Sequence, residues 1–168
     1  MEPITYVPIG WIRSPFKAPV GVPIQAVMSD VAGEVVVMPA YAEGLRDLEG
    51  FSHIMLVYHF HMSRDHSLTV RPFLDNEPHG VFCTRAPSRP NPVGISVVRL
   101  DRVQGTTLHV TGLDIVDGTP LLDIKPYIPQ MDDRPGASVG WLKGKLDRIE
   151  RARDDGRFTG DRPGGDHD

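Results

Sequence analysis

The sequence predicts a mainly β fold, a compact β-barrel with short peripheral helices. Short runs rich in β-forming residues follow one another through the N-terminal two-thirds of the chain, and Gly, Pro or Asp-Gly turn signals separate them. No Gly-x-Gly-x-x-Gly pattern follows a strand and opens a helix, so a Rossmann fold has no support. The length of 168 residues suits one domain with a hydrophobic core.

The first strand candidates are residues 6–12 and 33–38, which are β-rich runs bounded by Gly and Pro. Residues 40–49 place apolar side chains at roughly helical spacing, which predicts a helical turn. Residues 54–58 form a continuous apolar run, and this predicts a strand that is buried on both faces.

Shorter strands are predicted at residues 68–70 and 81–84. The runs 95–103 and 106–113 flank Gln104-Gly105, and this pair predicts a hairpin because glycine accepts a positive φ without steric cost.

The last third of the chain contains a turn at residues 117–120 and a strand at 121–125. Ser138 is a candidate cap for a helix over about 138–153, which carries apolar residues at helical spacing. Residues 154–168 have almost no apolar side chains, so we expect a disordered tail after a single domain over residues 1–153.

The charge distribution is uneven. A net charge of −4 does not by itself indicate a nucleic-acid-binding protein. However, residues 82–100 contain three arginines and no acid, and residues 143–153 contain five basic side chains against two acidic ones. A basic face on an acidic protein is therefore expected.

The sequence also indicates a location. Cys83 is the single cysteine, so an intramolecular disulfide is excluded and a reducing compartment is expected. The residues after Met1 do not resemble a cleavable leader, and no apolar run is long enough to span a bilayer. We expect a cytoplasmic protein that does not bind membranes.

Residues 84–94 read T-R-A-P-S-R-P-N-P-V-G, and their three prolines predict a stiff loop. A stiff loop aims its arginines, and the natural targets of Arg85 and Arg89 are carboxylates or phosphates. Asn91 and Ser88 have either a turn-forming or a substrate-binding role, and the residue pattern leaves both open.

A second group of polar residues follows further along the chain. Asp114 is the better ligand candidate of two aspartates, because Asp117 is explained as a turn-former. Asp123, Lys125 and Tyr127 project from one side of a strand at two-residue steps. Such a trio is suited to proton handling, although on the residues alone a structural ion pair with a hydrogen-bonded tyrosine explains it better.

These segments resemble one protein family. The patterns T-R-x-x-x-R-P-N-P-x-G over 84–94 and L-D-x-V-D-G-T-P-x-x-D-I-K-P-Y over 113–127 are similar to those of the TsaA/YaeB-like, or TrmO, family. Residues 9–15 and 51–53 extend the resemblance, which covers about residues 4–143. It implies a homodimeric β-barrel that uses S-adenosylmethionine to methylate N6 of threonylcarbamoyladenosine beside the tRNA anticodon.

The resemblance also implies site residues. It raises Asp123, Lys125 and Tyr127 to catalytic candidates, and Ser88, Arg89 and Asn91 to substrate-binding candidates. The implied cofactor-binding residues are Gln25, Ala26, Val27, His61, Met62, Arg85, Ile95, Thr111, Gly112, Leu113 and Asp114. Met62 stands where many relatives have glutamine, so only a backbone contact is expected there. RNA docking is expected to use the barrel, the basic segment 143–153 and a dimer partner.

Two other functions are compatible with the residues. The first is a barrel that binds S-adenosylmethionine or RNA without catalysis. The second is a metal-dependent enzyme that uses His59 and His61, with His53 or His109 as a third ligand. No acidic residue lies at a convincing spacing from these histidines, so we expect no metal.

Overall fold

The computed structural model describes residues 2–26 and 29–158, which contain few helical turns and the following strands. The strands are β1 (Gly10–Arg13), β2 (Ala32–Val37), β3 (His53–His59), β4 (Thr69–Val70), β5 (His79–Gly80), β6 (Val93–Gln104), β7 (Thr107–Thr111) and β8 (Pro120–Pro126). Short 3-10 helices span Pro39–Leu45, Leu48–Gly50, Val81–Cys83, Gly140–Leu142 and Leu146–Arg151, and one α-helical turn, α1, spans Pro129–Asp132.

Six strands form a closed antiparallel barrel in the order β1-β2-β7-β6-β3-β8. The predicted mainly β barrel is therefore confirmed. The hairpin between β6 and β7 is also confirmed, and Gly105 at its turn has a φ of 60°. β4 and β5 form a separate two-stranded sheet.

The core lies inside the barrel because alternate residues of each strand point inward. On β3, Ile54, Leu56 and Tyr58 are buried, whereas the residues between them are only half-buried. The prediction that this run is buried on both faces is therefore wrong. A single-layer barrel has an outer surface, and short helices leave that surface of β3 partly open to solvent.

Two predicted elements have other structures. Residues 81–83 form a 3-10 helix, and the strand pairing lies just before it at β5. In place of a continuous helix over 138–153, two short 3-10 helices are found. Gly140 and Gly144, with φ values of 56° and 76°, adopt left-handed conformations that interrupt a right-handed helix.

The segment after residue 153 packs on the rest of the chain. Asp154 N donates to Val22 O at 2.9 Å, and Gly21 N donates to Asp154 O at 2.7 Å. Phe158 stacks edge-on against Phe73 with centroids 5.3 Å apart. The predicted disorder is therefore wrong for residues 154–158, and residues 159–168 lie outside the described part of the chain.

Candidate functional site

One end of the barrel collects most of the predicted site residues. β2, β6 and β8 begin at this end, and β1, β3 and β7 finish there, as the pairs Ala32–Thr111 and His59–Val93 define. We call it the site end. The connecting segments 14–31, 60–92 and 112–119 meet there, so residues distant in sequence become neighbours.

A buried hydrogen-bond chain leads to Asp114 at the site end. The hydroxyl groups of Tyr58 and Ser96 are 3.0 Å apart, and Ser96 Oγ donates to Asp114 Oδ1 at 2.6 Å. Burial raises the pKa of Asp114 to about 6, against the opposing effects of the Ser96 hydrogen bond, the Ala26 backbone amide and the Arg85 charge. Asp114 therefore changes its charge close to neutral pH.

Burial also raises the pKa of the Tyr58 hydroxyl well above its usual range, and the nearby Asp114 charge adds to this effect. Tyr58 is therefore a neutral phenol that anchors the chain of hydrogen bonds. Tyr58 and Ser96 are site residues that the sequence patterns did not predict. The available signal was a serine within the apolar β6 run, where a polar side chain on an inward-facing position needs a partner.

Arg85 joins this network from the proline-rich loop. Its Nη1 donates to Gln25 Oε1 at 2.7 Å, which links residues 60 positions apart. The Arg85 charge lowers the pKa values of Asp114 and Tyr58, although burial outweighs it at both groups. The structure thus brings Gln25, Ala26, Arg85 and Asp114 together. Val27 lies outside the described residues.

Gly112 and Leu113 fix the backbone that leads into Asp114. Both amides donate to Val31 O at 3.0 Å, and Ser29 Oγ donates to Leu113 O at 2.5 Å. Gly112 has a φ of 99°, which a residue with a side chain rarely adopts. The Leu113 side chain is fully buried in the barrel core, so it anchors the backbone next to Asp114.

His61 lies at the same end and contacts Thr119. Thr119 Oγ1 donates to Val116 O at 2.7 Å and lies 3.3 Å from His61 Nδ1. Because the single hydroxyl hydrogen of Thr119 is already used, its oxygen accepts from His61 Nδ1–H, which leaves Nε2 as an acceptor in the neutral ring. Burial and the neighbouring His59 lower the pKa of His61, and both favour this neutral form.

The remaining loop residues have structural partners. Arg89 Nη1 donates to the carbonyl oxygens of Thr84 and Ala86, both at 3.2 Å, so it braces its own loop. Ser88 Oγ donates to Asp65 O at 2.9 Å. Asn91 is exposed, and its carbonyl accepts the amide of Val93.

Three implied cofactor residues stand apart from the Asp114 network. The Thr111 hydroxyl donates to Asp101 Oδ2 at 2.7 Å, next to an ion pair between Asp101 and Arg99. The exposed Ile95 side chain points outward from β6, and Met62 is also exposed.

The proposed catalytic trio, Asp123, Lys125 and Tyr127, does not lie at the site end. β8 begins at the site end and runs away from it, so each of the three lies further off than the last. Lys125 Nζ pairs with Asp123 Oδ2 at 2.8 Å, whereas Tyr127 donates to Asp133 Oδ1 at 2.5 Å and packs beside His53. Their catalytic role stays a prediction.

Clusters of His, Cys, Asp or Glu suited to a metal ion are absent from residues 2–26 and 29–158. Within the same residues, no helix has both the length and the apolar character to cross a bilayer.

Comparisons with known proteins identify the family. Residues 11–133 match the family described as tRNA-methyltransferase O N-terminal domain. The chain belongs to the TrmO family. The resemblance inferred from the two long motifs is thereby confirmed.

The chain is similar to several members of the TrmO family. A probable S-adenosyl-L-methionine-binding protein of Pyrococcus abyssi is 56% identical over 156 residues, which is 92% of this chain and 85% of that protein. The tRNA (adenine(37)-N6)-methyltransferase of Escherichia coli is 39% identical over 85% of this chain and 66% of its own length. A crystal structure of TrmO from Pseudomonas aeruginosa aligns with a TM-score of 0.71 and 38% identity, over 83% of this chain and 62% of that chain.

Proposed function

We propose that this protein transfers a methyl group from S-adenosylmethionine to N6 of threonylcarbamoyladenosine in tRNA. The observation that carries the proposal is the Arg85–Gln25–Asp114 network at the site end, built from the segments that match the TrmO family. Relatives are named as S-adenosyl-L-methionine-binding proteins and as a tRNA methyltransferase, which supports the cofactor and the substrate class.

The charges of the network fit the proposed cofactor. Arg85 is suited to bind the methionyl carboxylate in a bidentate geometry, while ionised Asp114 attracts the cofactor's positive charge. In the reaction, the sulfur–methyl bond breaks as the N6–methyl bond forms, and N6 loses a proton. The chain's contribution is to hold the three reacting atoms in line.

The proton from N6 needs an acceptor at the site end. Deprotonated Asp114 and neutral His61 are two titratable groups at this end that could accept it, either directly or through water. Asp123 and Tyr127, the candidates predicted from the sequence, would have to come from a second copy of the chain.

A homodimer is part of the proposal. The outer face of β6 exposes three apolar side chains in a row, at Val93, Ile95 and Val97. Covering this row with a second copy would remove apolar surface from water and would place Ile95 in an enclosed setting. Sedimentation of the purified chain tests this.

A cytoplasmic location is likewise proposed, as the substrate class requires.

The test of the function is incubation with labelled S-adenosylmethionine and tRNA that carries threonylcarbamoyladenosine, followed by nucleoside mass spectrometry. We expect the methylated nucleoside with wild type and with Arg102→Ala, whose side chain lies far along the β6–β7 hairpin. Folded protein that binds the cofactor and yields no product would contradict the proposal.

That result would instead favour the second candidate, a barrel that binds S-adenosylmethionine without transferring its methyl group. The name of the Pyrococcus abyssi relative supports this alternative, because it states binding alone. The two candidates share the cofactor and differ only in the product.

A further inference from the structure

A basic cleft of about 310 Å³ lies outside the barrel, between the segment after β4 and the C-terminal segment. We refer to it as the C-terminal cleft. Its lining is Phe73, Leu74, Asp75, Asn76, Lys145, Arg148, Arg151 and Ala152. None of these residues belongs to the Arg85–Asp114 network.

The three cations of the cleft follow one another at three-residue steps along the chain. The segment Leu146–Arg151 is a 3-10 helix, in which side chains three residues apart lie above one another, about 6 Å apart along the axis. Arg148 and Arg151 have this spacing within the helix, and Lys145 is the residue directly before its first turn. An α-helix would instead rotate each successive cation around the axis, so the 3-10 form is what aligns them.

The one acid in the cleft is already satisfied. Asp75 Oδ2 accepts from Lys145 and from His79 Nε2, and Oδ1 accepts the amides of Asn76 and Glu77. These hydrogen bonds, foremost those from Lys145 and His79, hold the pKa of Asp75 well below its usual range. Asp75 therefore balances Lys145.

Arg148 and Arg151 remain as two positive charges. Within the described part of the chain, no acidic side chain forms an ion pair with either guanidinium. Two aligned guanidinium groups on the wall of an open cleft attract an anion with repeated charges, and their spacing is of the same order as that of successive phosphates along an RNA strand.

The cleft is held against the loop that carries Arg85. Trp141 Nε1 donates to Cys83 O at 2.8 Å, two residues before Arg85. The Trp141 ring also stacks on His79 with centroids 4.5 Å apart, and Lys145 Nζ lies 5.7 Å from its centre. An RNA strand bound in the cleft would therefore lie beside the loop that carries Arg85.

We infer that the C-terminal cleft binds the phosphate backbone of the tRNA substrate through Arg148 and Arg151. The inference rests on the proposed function in one respect, namely that the polyanion is tRNA. Backbone phosphates carry no sequence information, so this contact would position the RNA while the site end selects the nucleotide.

The test measures tRNA binding by fluorescence anisotropy over a series of salt concentrations, with the full-length chain. For Arg148→Ala/Arg151→Ala we expect affinity to fall about fivefold to tenfold per arginine near 0.1 M salt, and the slope of log K against log salt to shrink by about two. The matched control, Arg46→Ala/Arg102→Ala, removes the same charge from exposed positions away from the cleft. It should change neither quantity to this extent.

A charge-retaining variant separates the effect of charge from that of side-chain shape. Arg148→Lys/Arg151→Lys should retain most of the salt slope, and all variants should bind S-adenosylmethionine like wild type. Equal salt slopes for wild type and the double alanine variant would overturn the inference. So would saturable binding of inorganic phosphate at the cleft with unchanged tRNA affinity. If tRNA binding changes as expected but no methyl transfer occurs in any variant, the proposed function fails and the cleft assignment stands.

Discussion

At the scale of single residues, the protonation state of Asp114 depends strongly on the surrounding structure. Its carboxyl is partly buried, hydrogen-bonded by Ser96 and close to the Arg85 charge, and its pKa is raised to about 6. Above that pH the anion dominates, and below it the neutral acid does. Any role in attracting a cationic cofactor is therefore lost as the pH falls through about 6.

The first prediction concerns Ser96→Ala. Because the Ser96 hydrogen bond lowers the pKa of Asp114, its removal should move the pH midpoint of S-adenosylmethionine affinity upward. It also leaves the buried Tyr58 hydroxyl without its partner, which should cost about 1–3 kcal/mol of unfolding free energy. Calorimetric titrations between about pH 5 and pH 8, with denaturant unfolding, measure both.

The matched control for this change is Ser52→Ala, which removes an exposed hydroxyl whose partner is His53. It should alter neither the midpoint nor the stability appreciably. Asp114→Asn should remove the dependence on pH near 6 altogether. A midpoint that stays at the wild-type pH in Ser96→Ala would show that Asp114 does not control cofactor affinity.

The second prediction concerns Arg85→Ala. A charge-assisted hydrogen bond to a carboxylate contributes about 1.5–3 kcal/mol, so cofactor affinity should fall about tenfold to a hundredfold. Fold stability should change little, because Arg85 is exposed and its hydrogen bond to Gln25 is open to solvent. Titration calorimetry measures the affinity, and Arg102→Ala serves as the control. Unchanged affinity would remove Arg85 from the site.

At the scale of elements, the paired strands β3 and β6 carry the contact between Tyr58 and Ser96 that leads to Asp114. Gly94 pairs with Tyr58 across the two strands, and a methyl group at Gly94 would collide with the Tyr58 ring and lie 2.8 Å from Phe60 Cζ. The absence of a side chain at Gly94 therefore lets Tyr58 reach Ser96.

The third prediction follows from this contact. Gly94→Ala should displace the Tyr58 ring, lower the unfolding free energy by about 1–3 kcal/mol and weaken cofactor binding through the Ser96–Asp114 pair. Gly80→Ala is the control, because its added methyl group meets no atom within 4 Å and its φ of −58° suits any residue. If the two variants unfold at the same denaturant concentration, the tight packing at Gly94 is refuted.

The elements also show what the sequence could predict. The hairpin at Gly105 followed from its turn residue and the β-branched runs on either side, and the strand β8 followed from the turn at residues 117–120. These are local signals. The segment 138–153 was mispredicted because its apolar spacing suits an α-helix, while Gly140 and Gly144 turn the backbone left-handed. The left-handed conformation at these two glycines prevents the continuous helix that the apolar spacing alone would predict.

The candidate site was predictable only in part, for a similar reason. Arg85 and Asp114 lie in recognisable motifs, so both were found. Ser96 and Tyr58 act through a contact between residues 38 positions apart, which no local pattern encodes. The direction of β8 likewise depends on barrel closure, and it carries Tyr127 away from the site end.

At the scale of the whole molecule, the C-terminal segment packs on the segment that precedes β2. Pro23 and Arg153 form an isolated β-bridge, and Asp154 exchanges backbone hydrogen bonds with Gly21 and Val22. These contacts hold the segment that carries Gln25 and Ala26. The C-terminal segment therefore stabilises the segment of Gln25 and Ala26, which lies more than a hundred residues earlier and is proposed to bind the cofactor.

The fourth prediction concerns truncation. Deleting residues 153–168 should release the segment around Gln25. It should lower the free energy of unfolding by about 1–3 kcal/mol and weaken S-adenosylmethionine binding. Deleting only residues 159–168 keeps the contacts of Asp154 and Phe158, so it should reduce stability and affinity less than the longer deletion does. Calorimetry of the two truncated proteins measures the difference. Equal cofactor affinity in both would show that the bridge does not support the site.

The stack of Trp141 on His79 has an optical consequence. Trp141 is one of only two tryptophans in the chain, and the other, Trp11, lies on β1 in the barrel wall. Indole emission responds to the groups that touch the ring, so Trp141 reports on occupancy beside Lys145. With Trp11 replaced by phenylalanine, the protein would carry a single tryptophan, whose emission would signal the arrival of RNA without any attached dye.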